Sequence, residues 1–265
     1  MTALENKFAC LRGQNRKALI PFFSCGYPDI STFSDLVKSA QNSGADAIEI
    51  GLPFSDPLAD GASIQHSSRQ ALANGITPKR TLELIENLKS KVEIPLVILT
   101  YLNPVLQFGL TRFAGEASRV GMDGIVFADV VIEESHNIEK IFRNRGLDLI
   151  YLVAPTTNGD RLREIARKST GFIYLVSVTG VTGARNTVAP EIPFYIRRIR
   201  QLTRTPICVG FGISNLAQAG AIARHSDGVI VGSAIIDRIR SGRNRTQILK
   251  SVSSFLKGIR RKIDS

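Results

Sequence analysis

Apolar and polar positions follow two different periods along this chain. Short apolar runs that end at glycine, proline or an acid predict buried strands, and stretches with apolar residues three and four apart predict helices. The strands are predicted at residues 19–24, 48–50, 94–100, 124–128, 147–153, 172–177, 206–210 and 228–232. The helices are predicted at residues 31–43, 77–88, 111–120, a stretch ending near 145, 160–169, 192–202, 215–224 and a terminal region.

Eight alternations of strand and helix in 265 residues favour a (β/α)8 TIM barrel over an open doubly wound sheet. No break in composition divides the chain, so residues 1–265 are predicted to form one domain. Residues 1–15 scatter charges among Leu4, Phe8 and Leu11, which predicts a short amphipathic helix before the barrel. This segment lacks the apolar core of a signal peptide, and no stretch is apolar enough to span a membrane.

The second predicted strand carries Glu49 between two isoleucines. In a closed parallel barrel the isoleucines face the outer helices, so alternation points Glu49 to the interior mouth, where a carboxylate is costly unless it is used or paired. The loop that follows adds Asp56, Asp60 and two stiffening prolines before Gly61. The pattern predicts that Glu49 and Asp60 share a pocket. The alternative, ordinary surface acids and turn residues, stays open for Asp56.

Glycines follow the last three predicted strands. Residues 180–183 read Gly-Val-Thr-Gly, residues 210–214 read Gly-Phe-Gly-Ile-Ser, and residues 232–234 read Gly-Ser-Ala. In this fold the loops after strands seven and eight commonly hold phosphate on the amides of a helix N-terminus, with Ser214 as the predicted cap of the first helix. The loop at 180–183 would serve as a flap. Each loop alone is also compatible with a tight turn.

Cysteine and histidine usage predicts neither disulfides nor metal. Cys10, Cys25 and Cys208 are an odd number at wide spacing, which favours a reducing cytoplasm. The three histidines are equally dispersed, so no bound metal is predicted.

The net charge of +11 arises entirely in the last quarter of the chain. Residues 196–265 contain 14 Lys and Arg against 3 Asp and Glu, whereas residues 1–195 contain 20 of each class. Only Phe211 and Phe255 are aromatic there, so nucleic-acid binding is not predicted. The basic residues are predicted to lie on solvated helix faces, with steering of an anionic substrate as the open alternative.

Glu49 and the run Pro53-Phe-Ser-Asp-Pro-Leu-Ala-Asp-Gly61 resemble the signature of the tryptophan synthase alpha subunit family. The resemblance covers essentially the whole chain and implies retro-aldol cleavage of indole-3-glycerol phosphate to indole and glyceraldehyde 3-phosphate. It implies that Glu49 is the acid and base and that Asp60 stays ionised and accepts a hydrogen bond from the indole N–H. A glutamate desolvated among apolar side chains would have the raised pKa that this role needs.

Further site residues follow from the same resemblance. The indole pocket would comprise Phe22, Tyr101, Ala128, Val153, Tyr174, Phe211 and Ile230. The phosphate site would comprise Thr182, Gly183, Gly212, Gly232 and Ser233. Two loops at the barrel mouth would contact a beta subunit through Pro53, Asp56, Pro57, Leu102, Asn103 and Pro104.

The resemblance also implies partners and leaves two alternatives. The chain itself would need no cofactor, and the beta subunit of an alpha2beta2 complex would carry pyridoxal phosphate and take up the indole. One alternative is a non-catalytic subunit that only activates its partner, and its mark would be degenerate acids or a lost phosphate site. The other is a different phosphate-sugar barrel enzyme, which the glycine loops permit but the run ending at Gly61 does not resemble.

Overall fold

The structure is a computed structural model that describes residues 1–176, 191–210 and 212–265. Strands β1 to β9 are Ala18–Ser24, Ile48–Gly51, Leu96–Thr100, Gly124–Phe127, Asp148–Ile150, Leu152–Val153, Ile173–Val176, Ile207–Gly210 and Gly228–Val231. Helices α1 to α12 are Ala3–Gly13, Ile30–Asn42, Ala62–Ala73, Pro78–Lys89, Leu102–Phe108, Leu110–Arg119, His136–Arg143, Gly159–Lys168, Glu191–Arg200, Leu216–Ala223, Ser233–Ser241 and Arg245–Ile263. A 3-10 turn, Ile132–Glu134, precedes α7.

The strands form a closed parallel barrel. Their order in the sheet is β5-β4-β3-β2-β1-β9-β8-β7-β6, and every pairing is parallel. Strands β5 and β6, at the two ends of this order, are separated in sequence only by Tyr151, whose carbonyl accepts the N–H of Tyr174 at 3.0 Å. The two segments are therefore one strand that pairs with β4 on one side and β7 on the other. The predicted eight-stranded barrel is confirmed.

Helix α1 closes the base of the barrel, the end at which the strands begin. Its Leu4, Phe8 and Leu11 join one buried cluster with Ala47, which precedes β2, and with inward-facing residues of the strands, among them Ala18, Ile20, Val97, Val126, Ile150, Cys208 and Ile230. A capping box sets its start, since Thr2 Oγ1 accepts the Glu5 N–H and Glu5 Oε2 accepts the Thr2 N–H. The helix predicted over residues 1–15 is thus present as Ala3–Gly13.

The structure differs from the sequence-based predictions at three places. Helix α3 is absent from those predictions, because serine, glutamine and histidine occupy much of its half-buried face and weaken the apolar period. Residues 102–104, predicted as a loop, begin α5, where Pro104 lies in the first turn and so loses no intrahelical hydrogen bond. Helix α10 is capped by Asn215, whose side chain accepts the Gln218 N–H, whereas Ser214 donates to the Gln218 side chain.

Basic side chains gather at the base because most outer helices end there. Cations are stabilised at a helix C-terminus by the partial negative charge of its free carbonyls. The last turns of α4, α6, α7, α8, α9 and α12 carry Lys89, Arg119, Lys140, Arg143, Arg167, Lys168, Arg197, Arg198, Arg200, Arg260, Arg261 and Lys262. Six of the 14 basic residues of the last quarter, those of α9 and α12, therefore lie toward the face opposite the barrel mouth.

One of these cations is buried and ties α12 to the barrel. The Arg260 guanidinium donates to Asp46 Oδ2 at 2.7 Å and to the Lys17 carbonyl at 2.8 Å, and Asp46 also accepts the Leu19 N–H at 2.9 Å. Gly44 leaves room for the arginine stem, since a methyl group on Gly44 would lie 2.9 Å from Arg260 Cγ. Burial raises the pKa of Asp46, and the Leu19 N–H and the Arg260 charge oppose that rise.

We expect Arg260→Met to lower the free energy of unfolding by about 3 to 5 kcal/mol, because it leaves the buried Asp46 carboxylate without its cation. Arg261→Met is the matched control, since Arg261 is the exposed neighbour on the same helix, and its effect should stay within about 0.5 kcal/mol. Urea unfolding of both variants measures the difference. Equal effects would contradict a structural role for the Arg260 contact.

Candidate active site

Glu49 lies inside the barrel near its mouth. It is 1% exposed, accepts a hydrogen bond from the Tyr174 hydroxyl, and its Oε1 has no hydrogen-bond partner among the residues that the structure describes. Burial raises its pKa from 4.5 to about 8, the Asp60 charge adds to the rise, and the Tyr174 hydrogen bond opposes it. The carboxyl group is therefore mostly protonated at neutral pH, in the state that can donate a proton.

Asp60 ends the loop that follows β2 and is half-buried above Glu49. Burial raises its pKa from 3.8 to about 6, and a hydrogen bond from the Tyr101 hydroxyl opposes that rise. At pH 7 Asp60 is mostly ionised. The two neighbouring carboxyl groups thus have opposite protonation states. Glu49 is enclosed in the barrel, whereas Asp60 reaches solvent and the Tyr101 hydroxyl.

An open cleft, of about 310 Å³ with the adjoining open solvent included, lies at the mouth and is lined by Asp60. Its walls include Phe22, Leu52, Phe54, Asp60, Ile64, Leu99 and Tyr101. The mixture of apolar side chains with one carboxylate suits a flat apolar ring that carries a single polar group.

Two glycines make room for rings at the bottom of the cleft. A methyl group on Gly51 would lie 2.5 Å from the Phe22 ring, and one on Gly210 would lie 2.5 Å from the Tyr174 hydroxyl. Each distance is too short for a real contact, so a larger residue at either position would displace the ring. Gly210 in this way keeps Tyr174 in place beside Glu49.

Most of the predicted pocket residues share the interior face. Phe22 and Tyr101 line the cleft, Tyr174 lies beneath it, Ile230 is buried in the interior cluster, and Ala128 directly follows β4 in phase with Val126. Phe211 lies outside the described residues.

Val153 is the exception, and the prediction for it is wrong. Leu152 packs with the interior cluster, so alternation turns Val153 toward the outer helices, where it joins the outer core. Leu99 was not among the predicted residues, although it lines the cleft. Counting two residues back from Tyr101 would have identified Leu99, and counting two forward from Ile150 would have identified Leu152.

The phosphate residues that are described lie at two helix starts. Gly212 is exposed with a φ of 86°, a conformation that favours glycine, and it precedes α10. Ser233 is the first residue of α11, whose first turn leaves amides without intrahelical acceptors. Gly232 adjoins the cleft, since a methyl group on it would lie 3.6 Å from Phe22 Cβ. Thr182 and Gly183 lie outside the described residues.

The residues predicted to contact a partner surround the mouth. Pro53 and Pro57 are buried, and Asp56 is exposed between them. In α5, Asn103 is exposed, Leu102 and Pro104 are half-buried, and the Leu102 N–H donates to Asp129 at 2.8 Å. Large apolar side chains are exposed nearby: Leu58 at 92%, Leu106 at 51% and Val131 at 43%.

Within residues 1–176, 191–210 and 212–265, no group of three His, Cys, Asp or Glu side chains is arranged to hold a metal ion. In the same ranges no helix is both long and apolar enough to cross a lipid bilayer.

Comparison with known proteins decides the family. The family model described as tryptophan synthase alpha chain matches residues 8–263. The chain belongs to this family. Among curated relatives, the tryptophan synthase alpha chain of Thermoanaerobacter sp. is 42% identical over 98% of this chain and 99% of its own length. That of Dehalococcoides mccartyi is 43% identical over 95% and 97%.

Solved structures agree with this assignment. The tryptophan synthase alpha subunit of Legionella pneumophila superposes with a TM-score of 0.92 at 31% identity and covers 100% of this chain and 99% of its own. A tryptophan synthase chain from M. tuberculosis, in an aminoacrylate-bound form, gives 0.89 at 30% identity over 99% and 100%. The predicted family and barrel are confirmed, and a different phosphate-sugar barrel enzyme is not favoured.

For this tryptophan synthase alpha chain, the buried Glu49 predicts a pH-dependent stability. Because the pKa of Glu49 is about 8 in the folded state and 4.5 ordinarily, the unfolded chain has lost this proton between those values while the folded chain keeps it. Folding stability from this group is complete below pH 4.5 and is lost as the pH rises toward 8, by at most about 1.4 kcal/mol per pH unit.

Glu49→Gln removes this titration, so the variant should become progressively more stable than wild type from pH 5 to pH 8. Urea unfolding at pH 5, 6.5 and 8 measures the difference. A constant difference between variant and wild type would contradict the raised pKa.

Proposed function

We propose that Glu49 and Asp60 divide the acid-base work of the retro-aldol cleavage of indole-3-glycerol phosphate, the reaction of tryptophan synthase alpha chains. One observation carries this proposal: the buried Glu49 lies close enough to Asp60, which lines the cleft, for the Asp60 charge to raise its pKa, and the two pKa values are about 8 and about 6. At neutral pH the first is a proton donor and the second an anion. The cleavage needs one of each.

The steps balance with these two side chains. Glu49 gives its proton to the indole ring carbon that bears the side chain, while Asp60 accepts a hydrogen bond from the ring N–H, where positive charge develops. The Glu49 carboxylate then takes the proton of the adjacent side-chain hydroxyl. The carbon–carbon bond breaks, its electron pair returns to the ring, and indole and glyceraldehyde 3-phosphate leave. Glu49 ends the cycle protonated, as it began.

The cleft orients the substrate for these transfers. The indole ring would lie among Phe22, Leu99 and Tyr101, with the phosphate on the amides near Gly212 and Ser233. Gly232, beside Phe22, would join the two halves of the site. Thr182 and Gly183 are proposed as the flap that closes over the ligand.

A beta subunit is the proposed partner, in an alpha2beta2 complex in the cytoplasm. The exposed apolar rim at Leu58, Leu106 and Val131 supports docking at the mouth, together with the prolines and Asp56 named above. The indole would pass to this subunit, which would hold pyridoxal phosphate, while this chain works without a cofactor.

Glu49→Gln tests the mechanism. We expect kcat for cleavage of indole-3-glycerol phosphate to fall by roughly two to four orders of magnitude, with substrate binding retained, because the amide neither donates nor accepts the proton in transit. The assay uses purified chain with and without a beta subunit, and Glu134→Gln, on an exposed turn, is the control. Near full activity of Glu49→Gln would remove this residue from the chemistry. A wild-type chain that only stimulates the beta subunit would support the non-catalytic alternative.

Ser233→Asp tests the phosphate position. We expect KM for the substrate to rise by at least about tenfold, because a carboxylate would occupy the N-terminus of α11 where the phosphate is proposed to bind. Ser241→Asp, at the other end of the same helix, is the matched control and should leave KM unchanged. An unchanged KM in both variants would contradict the assignment.

A further inference from the structure

Helix α3 holds the loop that carries Asp60 at both of its ends. We call residues 52–61 the acid loop. Near its start, the Ser68 hydroxyl accepts the Phe54 N–H at 3.0 Å and donates to the Phe54 carbonyl at 3.0 Å. Near its end, Gln65 Nε2 donates to the Asp60 carbonyl at 2.9 Å. Because Gln65 and Ser68 are three residues apart on a helix, they lie on one face, and the acid loop lies along that face.

The Ser68 hydroxyl restrains the backbone of Phe54. Ser68 is 4% exposed, and its single hydroxyl serves both backbone polar groups of one loop residue. Breaking this contact would leave the N–H and the carbonyl of the half-buried Phe54 without their partner, which is unfavourable. Phe54 therefore has little freedom to turn while Ser68 is in place.

A chain of contacts connects Phe54 to the Asp60 carboxylate. The Phe54 ring packs on the Tyr101 ring with centroids 5.4 Å apart. The Tyr101 hydroxyl in turn accepts the Ala59 N–H at 2.9 Å and hydrogen-bonds the Asp60 carboxylate. A displacement at either end of the acid loop is thus transmitted to the catalytic anion.

We propose that Gln65 and Ser68 are positioning residues for the reaction, which hold the acid loop so that the Asp60 carboxylate meets the indole N–H. This inference rests on the role proposed above for Asp60. Ser68 lines the cleft, but its hydroxyl is already engaged with both backbone polar groups of Phe54. The effect of Gln65 and Ser68 is geometric, since a shift of about 1 Å in a catalytic group can slow a reaction by up to roughly a hundredfold.

The protonation of Asp60 reports its position. Three titratable groups face it: Glu49 from β2, Tyr174 from β7 and Tyr101 from the start of α5. The Tyr101 hydrogen bond lowers the pKa of Asp60, so a displaced loop that loses this bond should raise it. A side chain that only stabilises the fold would leave this pKa where it is.

The test compares Ser68→Ala and Gln65→Met with the control Ser67→Ala. Ser67 lies on the same helix and is equally buried, but its hydroxyl bonds Ser24 at 2.6 Å and not the acid loop. Rates with indole-3-glycerol phosphate are measured from pH 5 to pH 9, and urea unfolding reports stability. We expect Ser68→Ala and Gln65→Met to lower kcat by roughly tenfold, with KM within about twofold. The acidic limb of kcat/KM should move to higher pH in both, but not in Ser67→Ala.

Several results would overturn the proposal. One is that both test variants match wild type in kcat and in the acidic limb of kcat/KM. Another is that Ser67→Ala shows the same kinetic losses as the test variants. A third is that the test variants raise KM while kcat stays constant. Gln65 is half-buried, so Gln65→Met carries the test if Ser68→Ala fails to fold. Full activity of Glu49→Gln would instead contradict the proposed mechanism. If Glu49→Gln is inactive while both α3 variants behave as wild type, only the present inference fails.

Discussion

The removal of the Glu49 carboxyl group from water is the constraint on which the site depends. A closed parallel barrel lined by aliphatic side chains offers almost no solvent to a charge, so the neutral acid is the stable form. Closure requires that one strand, interrupted at Tyr151, pair on both of its sides, and it requires α1 to cover the base. The protonation state of one side chain is therefore a property of the whole fold.

Opposite roles for two acids follow from unequal surroundings. Glu49 is fixed by a strand, whereas Asp60 stands on an irregular loop that would be free to move without outside contacts. Tyr101 and α3 supply those contacts from the next strand and the next helix. A rigid acid inside the barrel and an anion placed by neighbours above it allow the same cleft to donate a proton and to stabilise positive charge.

Alternation predicted the inward position of Glu49, because one residue in a strand determines the face of the next. The family resemblance placed Val153 in the indole pocket, whereas alternation from Ile150 puts Leu152 on the inner face. The contacts between α3 and the acid loop could not be predicted from the sequence, because they depend on how a polar helix packs rather than on any period in its sequence. The same pattern, an acid-bearing loop directly after the strand, predicted that Asp60 shares a pocket with Glu49, which lies eleven residues earlier in the chain.

The basic residues at the ends of the outer helices have a consequence for how an anion is captured. In 0.15 M salt, charges influence one another over only about 8 Å, less than the length of a strand and its helix. Cations at the base of the barrel are thus screened from a ligand at the mouth, where the ionised Asp60 contributes a nearby negative charge. Those cations therefore contribute little to the capture of a dianion, whereas amide groups within a few ångströms of it would hold it directly. The basic residues at the base thus add to the net charge of +11 without lying within reach of a ligand at the mouth.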